Sequence, residues 1–183
     1  MKVRATILLM HTDTRSVRFR MATTQDRPSR WAVTHAAWKE AYREIYRPEE
    51  IDGVFDGSLP QHASWTGRRR ADLGHIVAES GERIVGHVGT ALVHTPARAP
   101  VSGEVTALYL LPDWQGFGLG RLLWEQALKR LQEYDCVQAM VWTINRAPAF
   151  GFYQHVGALQ AEQGWYDVGD HREEATCFVL PLP

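Results

Sequence analysis

From Val17 to Met21 apolar and basic residues alternate, which is the period of a strand with one buried face. Beyond Asp26 the period lengthens. Asp26 can cap a helix and Pro28 suits its first turn, and Trp31, His35, Trp38, Tyr42 and Ile45 then recur at three- and four-residue steps. One amphipathic helix ending at Pro48 is predicted. A shorter helix is predicted from near Pro60 through Trp65 to Arg68, Arg69 and Arg70, whose positive charges suit the negative end of a helix dipole. His75 to Glu79 and Arg83 to Thr95, joined across Ser80-Gly81-Glu82, predict a hairpin. After a loop at Pro96 to Ser102, a strand runs from Glu104 to Leu111 and closes at Pro112, which has no N–H to give a ladder.

A glycine-rich loop, Trp114 to Gly120, follows that strand directly. Leu122, Leu123, Ala127, Leu128 and Leu131 then form the apolar stripe of a helix that ends near Tyr134. Val137 to Thr143 predicts another strand. Ala147 to Val156 predicts a short helix that Pro148 can begin and Gly157 can end. Two last strands, Leu159 to Val168 and Ala175 to Leu180, flank a polar turn at Gly169 to Arg172. The expected fold is α/β (α+β): a mixed, mostly antiparallel central sheet of six to seven strands flanked by about four helices. Residues 17–183 are expected to form a single domain after a flexible N-terminal extension, 1–16.

With 183 residues, 45% of them hydrophobic, the chain can bury a core without disulfide or metal staples. Its 20 Lys and Arg against 21 Asp and Glu leave a net charge of -1, so no broad positive field draws it to nucleic acid or an anionic membrane. Any anion site must be local. The apolar run Ile7 to Met10 is too short for a membrane span. Cys136 and Cys177 are far apart with no CxxC, which suits a reducing, cytoplasmic setting. No HExxH or Cys/His ligand spacing predicts a metal.

The segment Gln115-Gly116-Phe117-Gly118-Leu119-Gly120-Arg121 lies between a strand and a helix, where unpaired backbone N–H groups and the helix dipole favour an anion. Glycine permits positive φ there and leaves no Cβ in the way of a phosphate oxygen. A dinucleotide fingerprint starting at Gly116 would need glycine where Arg121 stands, and a Walker A loop would need Gly-Lys-Ser/Thr. Neither is present, and a phosphoryl-transfer enzyme would lack its lysine and metal-binding hydroxyl.

The pattern Gln-x-x-Gly-x-Gly, carried by Gln115, Gly118 and Gly120, resembles the GNAT superfamily of N-acetyltransferases. The strand Glu104 to Leu111 with Pro112 is similar to that family's fourth strand. Asn145 to Gly157 is similar to its Asn, Phe-Tyr, Gly segment, although Tyr153 lies eight residues after Asn145 where the family usually has seven. The resemblance implies acetyl-CoA as acyl donor, held by Leu110, Gln115, Gly116, Phe117, Gly118, Leu119, Gly120, Arg121 and Asn145. It implies direct attack of a primary amine on the thioester, whether the amine belongs to a small molecule, a peptide N-terminus or a lysine.

Under that resemblance the fourth and fifth strands splay apart near Leu110. Tyr153 gives its proton to the leaving sulfur, and Glu104 is the candidate base, directly or through water. Trp31, Trp38 and Tyr42 on the first helix, with Trp165 and Tyr166 on a late strand, border the acceptor cleft in this reading. Core packing is the competing use of the same aromatic stripe. An edge strand or the splayed sheet could pair two copies into a homodimer. The alternative function is a non-catalytic module of the same fold that senses acyl-CoA.

Overall fold

The computed structural model describes residues 6–7, 16–65, 70–93 and 102–183. One sheet contains nine strands: β1 (Thr6–Ile7), β2 (Val17–Met21), β3 (Gln61–Ala63), β4 (Arg70–Ser80), β5 (Arg83–Val93), β6 (Ser102–Leu110), β7 (Gln138–Ile144), β8 (Leu159–Val168) and β9 (His171–Pro181). Their order is β1-β2-β4-β5-β6-β7-β9-β8-β3. All neighbours are antiparallel except β6 and β7. The mixed α/β fold is the expected one, and the seven expected strands are extended at both edges by the short β1 and β3. The expected extension over 1–16 lies largely outside the described residues, but Thr6–Ile7 pairs with β2.

Helices α1 (Arg27–Ala41) and α2 (Pro48–Asp56) pack with one set of buried residues, including Trp38, Tyr46, Ile51 and Val54. Helices α3 (Leu119–Gln132) and α4 (Ala149–His155) pack with another, which contains Val88, Val105, Leu123, Trp124, Tyr153 and Phe178. Strand β6 separates the two. Its Leu108 and Leu110 join the α3 side while Tyr109 joins the α1 side, as the two-residue period of a strand requires.

Three local expectations are corrected. The first helix ends at Ala41 rather than Pro48. Tyr42 leaves helical geometry, and turn bonds from Ile45 N–H and Tyr46 N–H to its carbonyl fold the chain back. The apolar period runs on to Ile45 because this turn is buried beside the helix. Pro48 instead starts α2 at a position where its missing N–H costs nothing, and Glu50 closes the end by accepting from Arg47 N–H at 2.8 Å.

Asp26, expected to cap α1, makes no side-chain capping bond to it. It accepts two bonds from Arg20, at 2.7 and 2.8 Å, and one from Thr23 N–H. Arg20 holds the Asp26 carboxyl far below the usual range. The helix expected from Pro60 to Arg70 is replaced by β3, which pairs with Tyr166–Val168 of β8, and by the start of β4 at Arg70. Edge pairing overrides local pattern there, and Arg68 and Arg69 lie outside the described residues.

Candidate active site

The glycine loop sits where β6 ends. A 3-10 turn (Pro112–Trp114) follows Leu111, and Gln115 donates from its side-chain amide to Leu110 O at 3.1 Å, bracing the loop against the strand. Gly116 and Gly118 have φ of 81° and 79°, the left-handed region that favours glycine, and a Cβ on either would meet nothing within 4 Å. The loop therefore needs glycine for its backbone and leaves open space above it. Gly118 caps α3, so the first N–H groups of the helix, near Leu119, Gly120 and Arg121, have no intrahelical acceptor. Phe117 and Arg121 are exposed and Leu119 is buried under the loop. This is a backbone cradle that fits a phosphate or pyrophosphate.

Strands β6 and β7 pair for three residues only, from Ser102↔Gln138 to Glu104↔Met140. Beyond them no β6–β7 pair follows among the described residues. A cavity of about 480 Å³ opens there. It is lined by Glu104 to Ala107 and Tyr109 from β6 and by Trp142 to Ile144 from β7, residues at and past the last pair. The cavity thus lies along the length of β6 and the glycine loop at the strand's end; Leu110, the loop residues and Tyr153 are not among the described lining residues.

Six of the fourteen remaining described lining residues are Phe, Trp or Tyr. Trp65 stacks on Trp142 with centroids 4.4 Å apart and planes within 4°. Trp38 donates from its indole N–H to the Tyr109 hydroxyl at 3.2 Å and meets Tyr42 edge-on at 4.8 Å. Trp31, Phe55 and Tyr166 also line the space. Burial raises the Tyr42, Tyr109 and Tyr166 phenols, so they stay protonated at neutral pH. Trp38 on α1 and Tyr42, just past its end, both line the cavity. Trp165 is not among the lining residues; it is 40% exposed with the Arg172 guanidinium 4.9 Å from its ring centroid, and its neighbour Tyr166 lines the cavity. Successive strand residues face opposite sides, which is the reason for the exchange.

Glu104 is 3% exposed and lines the cavity. Arg70 donates to both of its oxygens, from Nε to Oε2 and from Nη2 to Oε1 at 3.1 Å. Tyr153 is buried on α4 between Trp124 and Phe178, with centroids at 5.5 and 5.8 Å. Burial and the neighbouring Tyr109 phenol push it above the ordinary tyrosine value, so it is a proton donor rather than an anion. Asn145 is drawn toward β9: its N–H donates to Glu174 O, and its Oδ1 lies 2.7 Å from Thr176 Oγ1. That hydroxyl is also 3.1 Å from Gln163 Oε1 and has one proton to give.

The sequence pattern does not reveal a histidine pair that the fold brings together. His87 Nε2 lies 2.8 Å from Thr34 Oγ1, which in turn donates to Arg30 O, so His87 carries its proton on Nε2. Its Nδ1 then accepts from His75 Nδ1 at 3.3 Å. Burial lowers His75 to about 4 and His87 to about 3, helped by Arg30, so both are neutral imidazoles in the cavity wall. The His75 ring lies over Gly89, where a Cβ would come within 2.6 Å of it. Only that close approach, invisible in the strand pattern, could have signalled the pair.

The family model for the acetyltransferase (GNAT) family matches residues 36–158, two-thirds of the chain and all of the loop, splay and α4. The chain belongs to the GNAT acetyltransferase family. Among curated proteins it has no significant match. Solved GNAT structures share its fold at low identity. PaiA N-acetyltransferase from Thermoplasma acidophilum, in complex with coenzyme A, is 16% identical with a TM-score of 0.63, covering 88% of this chain and 98% of its own. A GNAT acetyltransferase from Brucella melitensis, in complex with acetyl-CoA, is 17% identical with a TM-score of 0.56, covering 91% and 88%. Nourseothricin acetyltransferase is 15% identical with a TM-score of 0.61, covering 91% and 99%. This GNAT chain is therefore an acyltransferase by family, in a fold whose relatives include CoA complexes.

Proposed function

We propose that the protein transfers the acetyl group of acetyl-CoA to a primary amine by direct attack. The observation that carries this is the order along one strand: β6 parts from β7 after Glu104, its next residues line the aromatic cavity, and the glycine cradle follows its end. Acetyl-CoA supplies the activated acyl group when bound. Gln115, Gly116, Phe117, Gly118, Leu119, Gly120 and Arg121 hold its pyrophosphate, largely through backbone N–H groups. The backbone near Leu110, past the splay, holds the thioester carbonyl and the developing oxyanion.

The amine nitrogen forms the new C–N bond as the C–S bond breaks. Tyr153 gives its phenolic proton to the leaving sulfur and is later reprotonated from solvent. Glu104 keeps lone pairs beyond those taken by Arg70, and these receive the proton lost by the amine through a water in the cavity. Asn145, drawn into the β7–β9 contact, braces the sheet in this reading. Trp38 and Tyr42 form the acceptor wall, with Tyr166 in the place expected of Trp165. The domain is residues 17–183, and the buried thiols Cys136 and Cys177 suit a cytoplasmic setting.

The test is thiol release from acetyl-CoA across a panel of primary amines, with Tyr153→Phe run beside the native chain. Turnover that Tyr153→Phe lowers while acetyl-CoA affinity holds supports the enzyme. Cofactor binding with no turnover on any amine indicates the sensing module instead.

A further inference from the structure

The cavity contains a charge that its own residues do not balance. Arg27 and Arg30, one turn apart on α1, both line it. Among the described residues neither has an ion-pair partner, and Arg30 Nε is buried with no hydrogen-bond acceptor. A buried guanidinium N–H without an acceptor is costly, and such groups in native proteins ordinarily find a partner. Glu104, the one carboxylate among the described lining residues, is taken by Arg70 through both oxygens. Thr34, His87 and His75 are bonded to one another and to Arg30 O, and the imidazoles are neutral, so none of them supplies a negative charge.

A site for an amine is expected to welcome a cation, yet this one carries a surplus of positive charge at the α1 side. A simple alkylamine, entering as an ammonium, would be repelled there. We propose that the acceptor is a small amine that also carries an anionic group, bound by Arg30 with Arg27 at the rim, while its apolar or aromatic body packs against Trp65, Trp142 and Trp38. The volume of about 480 Å³ suits a molecule of amino-acid or dipeptide size. Arginine is the side chain that meets a carboxylate or phosphonate with two parallel N–H bonds, which makes it a specificity group as well as a charge. The inference rests on the acyltransferase reading of the cavity, but it concerns acceptor binding alone.

Binding can therefore be measured without turnover. Phenylalanine, phenethylamine and 1-amino-2-phenylethylphosphonic acid form a set that differs only in the anion. Each is titrated into the full chain, with intrinsic tryptophan fluorescence as the readout, in the presence of CoA. The carboxylate or phosphonate probe, whichever anion the site selects, is expected to bind about tenfold or more tighter than phenethylamine. Arg30→Gln should weaken the anionic probe and, by removing a repelling charge, strengthen phenethylamine, so that the advantage disappears, and Arg30→Lys should restore part of it. Equal affinity for all three probes, absence of binding by both anionic probes, or an advantage that survives Arg30→Gln overturns the proposal. Acetyl-CoA is titrated into the same samples: its failure to bind would remove the acyltransferase reading, whereas the anion preference stands or falls on the probes.

Discussion

The two ends of the site are built in opposite ways. The proposed cofactor end is one stretch of chain, Leu110 to Arg121, and the groups it offers are backbone N–H donors placed by two positive-φ glycines and a helix terminus. The proposed acceptor end, the cavity, is assembled from side chains on α1, α2, β3 to β8 and the segment after β3. Residues as distant in sequence as Trp31 on α1 and Tyr166 on β8 meet there only because the sheet order and the packing of α1 bring them together. Chemistry carried by contiguous backbone is written in the sequence as a motif, whereas chemistry carried by converging side chains is written only in the fold.

Four changes probe that contrast. The largest effect is expected at Gly118→Asp, which strains a residue with φ of 79° and sets a negative charge in the phosphate cradle. Acetyl-CoA affinity should fall by about a hundredfold or more, read by calorimetry. Unchanged affinity would mean that the loop does not hold the cofactor. Next is Arg70→Met, which leaves Glu104 buried without its partner and should cost about 3 kcal/mol, roughly 10 °C in thermal midpoint. Adding Glu104→Met should recover much of that loss; a double variant as unstable as the single one would show that the pair is not the cause.

Tyr153→Phe should lower kcat about tenfold to a hundredfold with acetyl-CoA affinity kept, since the phenol is read as donor to the sulfur. An equal loss in affinity would point to a packing role beside Trp124 and Phe178 instead. The smallest effect is in the pH dependence of stability. His75 and His87 have folded values of about 4 and about 3 against an ordinary 6.5, so the unfolded chain binds protons that the folded chain refuses. Their stabilisation is present above pH 6.5 and is lost as pH falls toward those folded values. For the deeply buried His87 the slope is on the order of 1 kcal/mol per pH unit, and the half-buried His75 adds less. Thermal midpoints measured from about pH 6.5 to about pH 5 should fall in the native chain and fall less in a His75→Gln/His87→Gln variant. Equal slopes would contradict the assignment.

Much of the fold is legible in the sequence because its signals are local. Alternation marks Val17–Met21, strand-forming runs between turn residues mark the other longer strands, and the glycines at 81, 157 and 169 mark turns that the structure places in the left-handed region. The elements that the local pattern misplaces depend on tertiary contacts. Pro48 begins a helix because the turn at Tyr42 to Tyr46 is buried, and Gln61–Ala63 is a strand because β8 offers an edge. At the site, Gln115, Gly118 and Gly120 are readable in register, and so are Trp38 and Tyr42 from their helical spacing. Arg30, His75, His87, Trp65 and Trp142 are not, because each meets its neighbours across strands or helices distant in sequence.

An acetyl-CoA site formed by the loop and the splayed strands has one consequence that needs no knowledge of the acceptor. Calorimetric titration of the full chain should return micromolar affinity for acetyl-CoA, about 8 kcal/mol, that ATP does not reproduce. No binding of acetyl-CoA, or equal binding of ATP, would mean that the cradle and the splay do not form that site.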